Sequence, residues 1–374
     1  MRGLGDPSEL DIRFDRHPGR SGIRPGGELL ATSIASPYPF AYARTALKYG
    51  LKALGFTHGD EVLVPDFLCE SLVEPMDQLG VTPVYYPVGL GLVPEWDQLP
   101  HLITGGTRAL LVLHYFGQPQ PMERCIAFTE THGLMLIEDN AHGHGAEYSG
   151  RLLGTFGEAG ISAPRKSFPL ENGAWLYLGG TCSVDLSGLR LPGKSGRHLK
   201  MSLRQAAERL PVARTLVRHL RRWREQQRRA GPPPGYHIPD TFREPALRFD
   251  YGMSQATQHL LEKQNIDEVR IVRQRIYRRW EKWGETQGLK PLFPQLEPGS
   301  MPLVYPALSQ SAEESRRWFE RGHRKGVDIH SWPTMPESVV AEDGPAMRLW
   351  ERLVCFPVHQ AMDEAALERR LQVL

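Results

Sequence analysis

The chain has 374 residues, of which 40% are hydrophobic and 24% charged, and its formal net charge is +2 at pH 7. These values are typical of a globular protein of about two domains, and the near balance of charge gives no overall drive toward nucleic acid. The four cysteines lie far apart without the paired spacing of metal ligands, so neither a zinc site nor a disulfide framework is indicated.

Proline, glycine and charge patterns divide the chain into three predicted parts. Residues 1–26 are rich in Gly, Pro and Arg and predict an irregular N-terminal arm. A large domain is expected over residues 27–240, with a break at Pro232–Gly235, and a small C-terminal domain over residues 241–374. No signal peptide or long uncharged apolar segment is recognisable, which favours a cytoplasmic protein without a membrane span.

An amphipathic pattern predicts the first helix over Tyr42–Gly55. Arg44 and Thr45 stand at its start. Free backbone amides, a guanidinium and a hydroxyl at a helix N-terminus form a suitable seat for a phosphate group. The alternative from this segment alone is an ordinary capped surface helix.

Apolar runs after this helix predict strands near residues 61–65, 81–88 and 109–115. Helical patterns alternate with these strands. This alternation is typical of an α/β protein with a mostly parallel sheet and helices on both faces.

The most informative segment is the apolar run Gly133–Ile137, which ends in Glu138-Asp139-Asn140-Ala141-His142-Gly143-His144. A buried parallel strand would place Asp139 at its carboxyl end, where open α/β sheets bind ligands. A carboxylate there can pair with a protonated pyridine nitrogen. Further along, Lys166 can form a Schiff base with an aldehyde if burial or cationic neighbours favour its neutral amine. The pair therefore indicates pyridoxal 5′-phosphate, although a strand that ends in Glu-Asp and a solvated lysine are each common.

The second half of the chain predicts helices near Tyr251 and through the Arg- and Trp-rich stretch that ends near Trp283, with strands around 303–305 and 326–329. Residues 214–229 contain seven arginines above an apolar stripe. This pattern fits a helix docked on the protein surface, or one that rests on anionic lipid or a polyanion. We favour the docked surface helix.

Three histidines near the carboxylate strand raise the question of a metal. His142, His144 and His114 do not share a spacing that enforces one ion, and no metal is expected. We expect His144 to be a hydrogen-bonded partner behind the cofactor site. Trp332 either lines the mouth of the substrate site or serves packing.

The order of these motifs resembles a known family. The segments are ARTAL at 43–47, GDEVLVPDF at 59–67, HYFGQP at 114–119, IEDNAHGHGAEYSGRLLGTFG at 137–157 and ISAPRKSFPLENGAWLYL at 161–178. They resemble the large domain of the DegT/DnrJ/StrS-type sugar aminotransferases, which are fold-type I enzymes that use pyridoxal 5′-phosphate. Residues 251–254, 270–280 and 354–359 are similar to the family's later helix and closing strand.

The resemblance implies a mostly parallel seven-stranded sheet in the large domain and a smaller α/β C-terminal domain. It implies that Asp139 pairs with the cofactor's pyridine nitrogen and that Lys166 forms the internal aldimine. Arg44 and Thr45 match the phosphate-binding turn, and Ser162 lies near the family's phosphate-contacting serine, one position closer to the lysine than usual.

Four positions depart from the family pattern. His142 stands where a glutamine usually lies near the cofactor's ring oxygen. Cys69 stands where an aromatic residue usually stacks on the ring. Either the smaller cysteine replaces this contact, or Phe67 supplies the stacking. Asp250 stands where a neighbouring subunit usually offers asparagine to the phosphate, and would repel the anion unless it points away or pairs with an arginine such as Arg44. Gly252 replaces the arginine that usually follows.

The implied activity is the transfer of an amino group from glutamate to a nucleotide-linked keto sugar, in polysaccharide or amino-sugar biosynthesis. The implied assembly is a homodimer with small-molecule substrates only. A lyase or dehydratase of the same fold is the alternative enzyme. Lys166 argues against the dehydratase branch, because the resemblance would imply a histidine at that position. A cofactor-binding sensor or scaffold without turnover is the non-enzymatic alternative, raised by Cys69, Asp250 and Gly252.

Overall fold

The computed structural model describes residues 37–180, 182–192, 247–332, 334–362 and 364–374. The predicted N-terminal arm, the predicted basic helix and the boundary predicted at residue 240 lie outside the described residues.

A seven-stranded sheet forms the N-terminal part of the fold. Nine strands lie within the described residues 37–180, namely β1 Tyr38–Phe40, β2 Glu61–Pro65, β3 Thr82–Tyr86, β4 Thr107–Leu113, β5 Met135–Asn140, β6 Glu147–Tyr148, β7 Arg151–Leu152, β8 Ala159–Ser162 and β9 Ala174–Leu178. The large sheet has the order β1-β9-β8-β5-β4-β2-β3, and β6 pairs with β7 in a separate hairpin. Strands β3, β2, β4, β5 and β8 are mutually parallel, whereas β9 runs antiparallel to its neighbours. The predicted mostly parallel seven-stranded sheet is confirmed.

Four helices connect these strands: α1 Ala43–Ala53, α2 Glu74–Asp77, α3 Met122–His132 and α4 Pro164–Ser167. Helix α1 packs against β8 and β9, and α3 packs against β4 and β5. The apolar face of α1 includes Leu47 and Leu51, which are fully buried, as its amphipathic spacing predicts. The helix ends before Gly55, whose φ of 72° suits glycine.

Strand β5 carries the predicted transition from apolar to polar residues. Leu136 and Ile137 are buried in the sheet, and the polar side chains of Glu138, Asp139 and Asn140 that follow are buried as well. Buried polar groups require partners, so the end of β5 is expected to be a site of specific contacts.

The C-terminal part contains a three-stranded antiparallel sheet with helices packed on it. Its strands are β10 Lys290–Pro291, β11 Val304–Leu308 and β12 Leu353–Pro357, and its helices are α5 Gln255–Glu262, α6 Ile266–Thr286, α7 Ala312–Lys325, α8 Glu337–Glu342, α9 Pro345–Arg352 and α10 Glu364–Val373. Trp280 of α6, Tyr305 of β11 and Phe356 of β12 form the centre of a second hydrophobic core. This arrangement agrees with the expected smaller α/β region.

Two sequence expectations in this part are corrected. The strand predicted over 326–329 is absent from the described structure. Gly326 instead ends α7 with a φ of 72°, and the Val327 N–H donates to the Gly322 carbonyl at 2.8 Å. The helix predicted near Tyr251 begins later because the Ser254 hydroxyl accepts a hydrogen bond from the Thr257 N–H, which caps α5.

Among the described residues, no helix combines the length and apolar character needed to cross a membrane.

Candidate active site

A cavity of about 220 Å³ lies at the carboxyl ends of β4 and β5, beside the N-terminus of α1. It brings together five of the seven residues that are predicted to bind the cofactor: Arg44, Cys69, Asp139, His142 and Lys166. The other lining residues are Tyr42, Ala43, Ser71, Leu72, Leu113, Ala141, Arg165 and Trp332.

Asp139 forms the buried acidic end of this cavity. Its Oδ1 accepts a hydrogen bond from the Ala141 N–H at 2.7 Å. Burial raises the pKa of the Asp139 carboxyl, although the charge of Lys166, the Ala141 N–H and His114 act in the opposite direction. A desolvated carboxylate of this kind is stabilised by any cation that reaches it.

Lys166 supplies the amine of the cavity from the short helix α4, which follows β8. Its side chain is exposed, and its backbone N–H donates to the Ala163 carbonyl at 3.0 Å. The neighbouring Arg165 is also exposed, and its guanidinium lies 5.8 Å from the ring centre of Tyr42. The lysine is therefore open to a ligand and lies among cationic and aromatic groups.

The geometry of His142 assigns its tautomer. The Phe116 N–H donates to His142 Nδ1 at 3.1 Å, and burial, with the charge of Lys166 as a second cause, holds the pKa of His142 well below its usual range. The ring is therefore neutral, with Nδ1 as acceptor and its hydrogen on Nε2. Phe116 stacks on it at 28°, and the Trp332 ring lies 5.1 Å away. His142 is thus a fixed hydrogen-bond donor on the wall of the cavity.

The turn after His142 requires glycine. A Cβ at Gly143 would lie 2.7 Å from the Cα of Gly117 and 2.7 Å from Asn140 Oδ1. This close approach brings the loop after β5 against the loop after β4, from which Phe116 reaches His142.

The N-terminus of α1 faces the cavity through Tyr42, Ala43 and Arg44. Tyr42 caps the helix without a side-chain hydrogen bond, and no carboxylate stands in the first turn. The positive end of the helix dipole therefore faces the cavity with its amide groups, which favours an anion there. Arg44 forms an ion pair of 2.6 Å with Glu74.

Thr45 and Asp250 lie outside this cavity and line a small adjacent one together with Arg44, Lys48 and Glu74. Lys48 Nζ lies 2.5 Å from Asp250 Oδ2. Asp250 thus binds the lysine one turn further along the same helix, and its pairing with Arg44 stays a prediction. Gly252 forms a single antiparallel bridge with Phe40 of β1.

Ser162 does not line the cavity. It is buried at the end of β8, where its hydroxyl lies 3.0 Å from His144 Nδ1 and 3.3 Å from the Tyr177 hydroxyl. Burial lowers the pKa of His144 to about 4 and raises the pKa of Tyr177 to about 12. These three groups form a neutral network behind the wall of the cavity.

The aromatic residues of the cavity are Tyr42 and Trp332, and Phe67 is not among them. Phe67 is fully buried and packs against Tyr115 and Trp332 at ring distances of 6.1 and 5.1 Å. Trp332 therefore both lines the cavity and serves packing. The sequence reasoning missed Tyr42, for which the available signal was its position just before the ARTAL helix start.

Glu138 and His114 form a fully buried pair that supports the loops around the site. His114 Nε2 lies 3.0 Å from Glu138 Oε2, and His114 Nδ1 accepts the Gln120 N–H at 3.1 Å. Glu138 also accepts the N–H groups of Gly154 and Gly157 at 2.8 and 3.0 Å. Both ring nitrogens of His114 are thus engaged within the protein, and no cluster of metal-ligating residues occurs in the part of the chain that the structure describes.

Comparison with known proteins agrees with the geometry of the site. The model of the DegT/DnrJ/EryC1/StrS aminotransferase family matches residues 40–166, which include α1, β5 and Lys166. GDP-perosamine synthase of Vibrio cholerae is 35% identical over 114 residues, which are 30% of this chain and 31% of that protein. The L-glutamine:2-deoxy-scyllo-inosose aminotransferase of Streptomyces kanamyceticus is 32% identical over 143 residues, which are 37% of this chain and 33% of that protein. The matches thus span about a third of these curated relatives' own length.

The fold is also similar to that of solved structures. The PLP form of Spr1654 from Streptococcus pneumoniae, described as a sugar aminotransferase, superposes with a TM-score of 0.63 at 15% identity. The superposition covers 92% of this chain and 89% of that protein, and it shows a shared fold. Residues 40–166 are thus the part of the chain that resembles the DegT/DnrJ/EryC1/StrS aminotransferase family.

Proposed function

We propose that this protein is a pyridoxal 5′-phosphate-dependent aminotransferase that transfers an amino group to a nucleotide-linked keto sugar. One observation carries the proposal. An exposed lysine amine, a buried carboxylate, a neutral histidine donor and a helix N-terminus with an arginine all face one cavity. Lys166, Asp139, His142 and Arg44 are the respective groups.

The chemistry of these groups fits the proposed cofactor. The desolvated carboxylate of Asp139 suits a protonated pyridine nitrogen, and Lys166 suits the aldehyde. Arg44 and the first amides of α1 suit the phosphate group, and the Nε2–H of His142 suits the ring oxygen. When bound, pyridoxal 5′-phosphate supplies an electron-poor ring that accepts the electrons of the bond broken at the donor's α-carbon and carries the amino group.

Each residue has a defined task in this proposal. Lys166 would hold the aldehyde of the cofactor, and once an amino donor has displaced it, its free amine would carry the proton that leaves the donor's α-carbon. With the keto sugar, the same amine would return a proton to the sugar carbon. Asp139 keeps the pyridine nitrogen protonated in both half-reactions.

The relatives support a carbonyl substrate related to sugars. One of them is named for GDP-perosamine synthesis, and another is named for transfer from L-glutamine to 2-deoxy-scyllo-inosose. Glutamate is the donor that the family resemblance implies. A role in polysaccharide or amino-sugar biosynthesis is consistent with these names.

The proposal includes a homodimer in the cytoplasm and a domain boundary near residue 240, as the family resemblance and the sequence pattern imply. A neighbouring subunit would then complete the phosphate side of the cavity, next to Arg44. Sedimentation tests this part: a fully active monomer would contradict a shared site.

A donor half-reaction tests the proposed activity. The purified protein is loaded with pyridoxal 5′-phosphate and mixed with glutamate or glutamine in the absence of a keto sugar. We expect one equivalent of keto acid per site, with loss of the bound cofactor's visible band, and return of the band when a keto sugar from a panel is added. A protein that binds the cofactor but releases no keto acid from either donor would be the sensor alternative.

A further inference from the structure

The chain following Lys166 is held by a contact that the proposed chemistry does not explain. Arg273 lies on α6, more than a hundred positions from the lysine, and only 1% of its surface is exposed. Its Nη2 donates to the carbonyl of Ser167 at 3.0 Å. Gln360 Nε2 donates to the same carbonyl at 2.8 Å.

These groups form a closed ring of hydrogen bonds. Arg273 Nε donates to Gln360 Oε1 at 2.9 Å, so the amide of Gln360 is oriented as acceptor toward the arginine and as donor toward Ser167. Arg273 Nη1 donates to the carbonyls of Pro302 and Val358 at 2.8 and 3.2 Å. Each of the three guanidinium nitrogens is therefore engaged.

All four described acceptors of Arg273 are neutral. Burial lowers the pKa of its guanidinium to about 10, which still leaves it charged at neutral pH. A buried cation without a carboxylate is costly, and an apolar side chain would serve simple packing at lower cost. The charge instead strengthens hydrogen bonds to backbone carbonyls. One of these carbonyls is that of Ser167, in the same helix as Lys166.

Helix α4 depends on such support. It has four residues, Pro164 to Ser167, and one turn is too short to be stable alone in water. The carbonyls at its end have no helical partner of their own. The guanidinium and the amide supply that partner for Ser167, the residue directly after Lys166.

We propose that Arg273 and Gln360 form a carbonyl clamp on Ser167 that positions Lys166 in the cavity. The clamp consists of these two side chains and the Ser167 carbonyl, and both side chains are positioning residues. The proposal rests on the proposed function in one respect, that Lys166 is the reactive amine. It connects α6 and the segment after β12 to the lysine, so a shift of either one would move the amine.

Hydrogen exchange of the apoprotein tests the clamp without the cofactor. The reporters are the backbone amides of Lys166 and Phe168, which donate to the Ala163 and Pro164 carbonyls at 3.0 and 2.8 Å. Arg273→Met should speed exchange at these two amides about tenfold or more. Arg278→Met, at an exposed position of the same helix, is the matched control and should leave both rates unchanged.

Gln360→Glu separates positioning from stability. The carboxylate still accepts from Arg273 and gives it a counter-charge, but the donor to Ser167 is lost. The melting temperature should stay equal or rise, while exchange at Phe168 still accelerates. If Arg273→Met does not fold, this variant alone decides the question. Unchanged exchange at both reporter amides, or equal acceleration throughout the chain, would overturn the clamp.

A second readout concerns the lysine itself. On addition of pyridoxal 5′-phosphate, the visible absorbance band should form more slowly in Arg273→Met and Gln360→Glu than in the unaltered protein and in Arg278→Met. Wild-type rates of band formation in both clamp variants would contradict positioning. Absence of any band in the unaltered protein would instead refute the proposed function, while the exchange rates would still test the clamp.

Discussion

At the scale of single residues, Asp139 is the group whose charge matters most to the proposed chemistry. Asp139→Asn should preserve the shape of the loop, because the amide oxygen can still accept the Ala141 N–H. It should slow transamination by about two orders of magnitude or more, since a neutral amide cannot hold the pyridine nitrogen protonated. Steady-state kinetics, together with an unchanged melting temperature, check this. Near-native turnover would assign Asp139 a structural role only.

His142 offers a second test at this scale. With Nδ1 bound to the Phe116 N–H, only Nε2–H can donate to the cofactor's ring oxygen. A donor stabilises the deprotonated oxygen, so His142→Leu should raise the pH of the cofactor's spectral transition by about one unit. His142→Gln, which retains an N–H donor, should raise it less. Absorbance titrations against pH measure this transition. If His142→Leu titrates like the unaltered protein, the hydrogen bond from His142 to the ring oxygen is refuted.

At the scale of elements, two ion pairs along α1 lie beside the end of the cavity that is proposed to bind the phosphate. Asp250→Asn removes the carboxylate that Lys48 binds at 2.5 Å. The pair is partly exposed, so its loss should cost at most about 1 kcal/mol of stability. The freed ammonium should attract an anion, and pyridoxal 5′-phosphate should bind the apoprotein equally well or more tightly.

Glu74→Gln provides a matched comparison for Asp250→Asn. It removes the carboxylate that pairs with Arg44 at 2.6 Å, and cofactor binding should change in the same direction. Both variants are titrated with the cofactor under the same conditions. Weaker binding in either would mean that the carboxylate orients its cation toward the phosphate rather than competing for it.

The sequence predicted the elements whose signals are local. The amphipathic spacing of α1 and the apolar run that becomes β5 depend on residues close in the chain, and both are present with Asp139 at the strand end. The alternating pattern of residues 326–329 was misleading, because Val327 and Ile329 are buried while Gly326 ends α7. A helix end and a strand can thus show the same short apolar alternation.

Contacts between residues far apart in the chain could not be predicted from the sequence. The clamp joins Ser167 to residues 106 and 193 positions away, a separation at which no local sequence pattern indicates a contact. The pairing of Asp250 with Lys48 spans 202 positions. The folded structure is needed to show that the carboxylate of Asp250 reaches Lys48.

At the scale of the whole molecule, buried neutral histidines should make stability depend on pH. The pKa of His144 in the folded protein is about 4, below its usual 6.5, so folding favours the neutral ring. The corresponding stability is fully present above pH 6.5 and is lost as the pH falls from 6.5 toward 4, on the order of 3 kcal/mol for this residue. Denaturant unfolding at several pH values measures it.

His144→Gln is the variant for this measurement, because its amide can still bond Ser162 but does not titrate. The free energy of unfolding should fall less steeply between pH 6.5 and 4 in this variant. The same slope in both proteins would show that His144 does not contribute to the acid sensitivity.

The central claim is that Lys166 is the amine that binds the cofactor covalently. Borohydride reduction of the protein loaded with pyridoxal 5′-phosphate, followed by peptide mapping, tests it most directly. We predict a pyridoxyl label on Lys166 at one per chain, and no such label in Lys166→Ala, which should keep its fold and lose transamination. A label on another lysine, such as Lys48 in the adjacent cavity, or no label at all, would contradict the account.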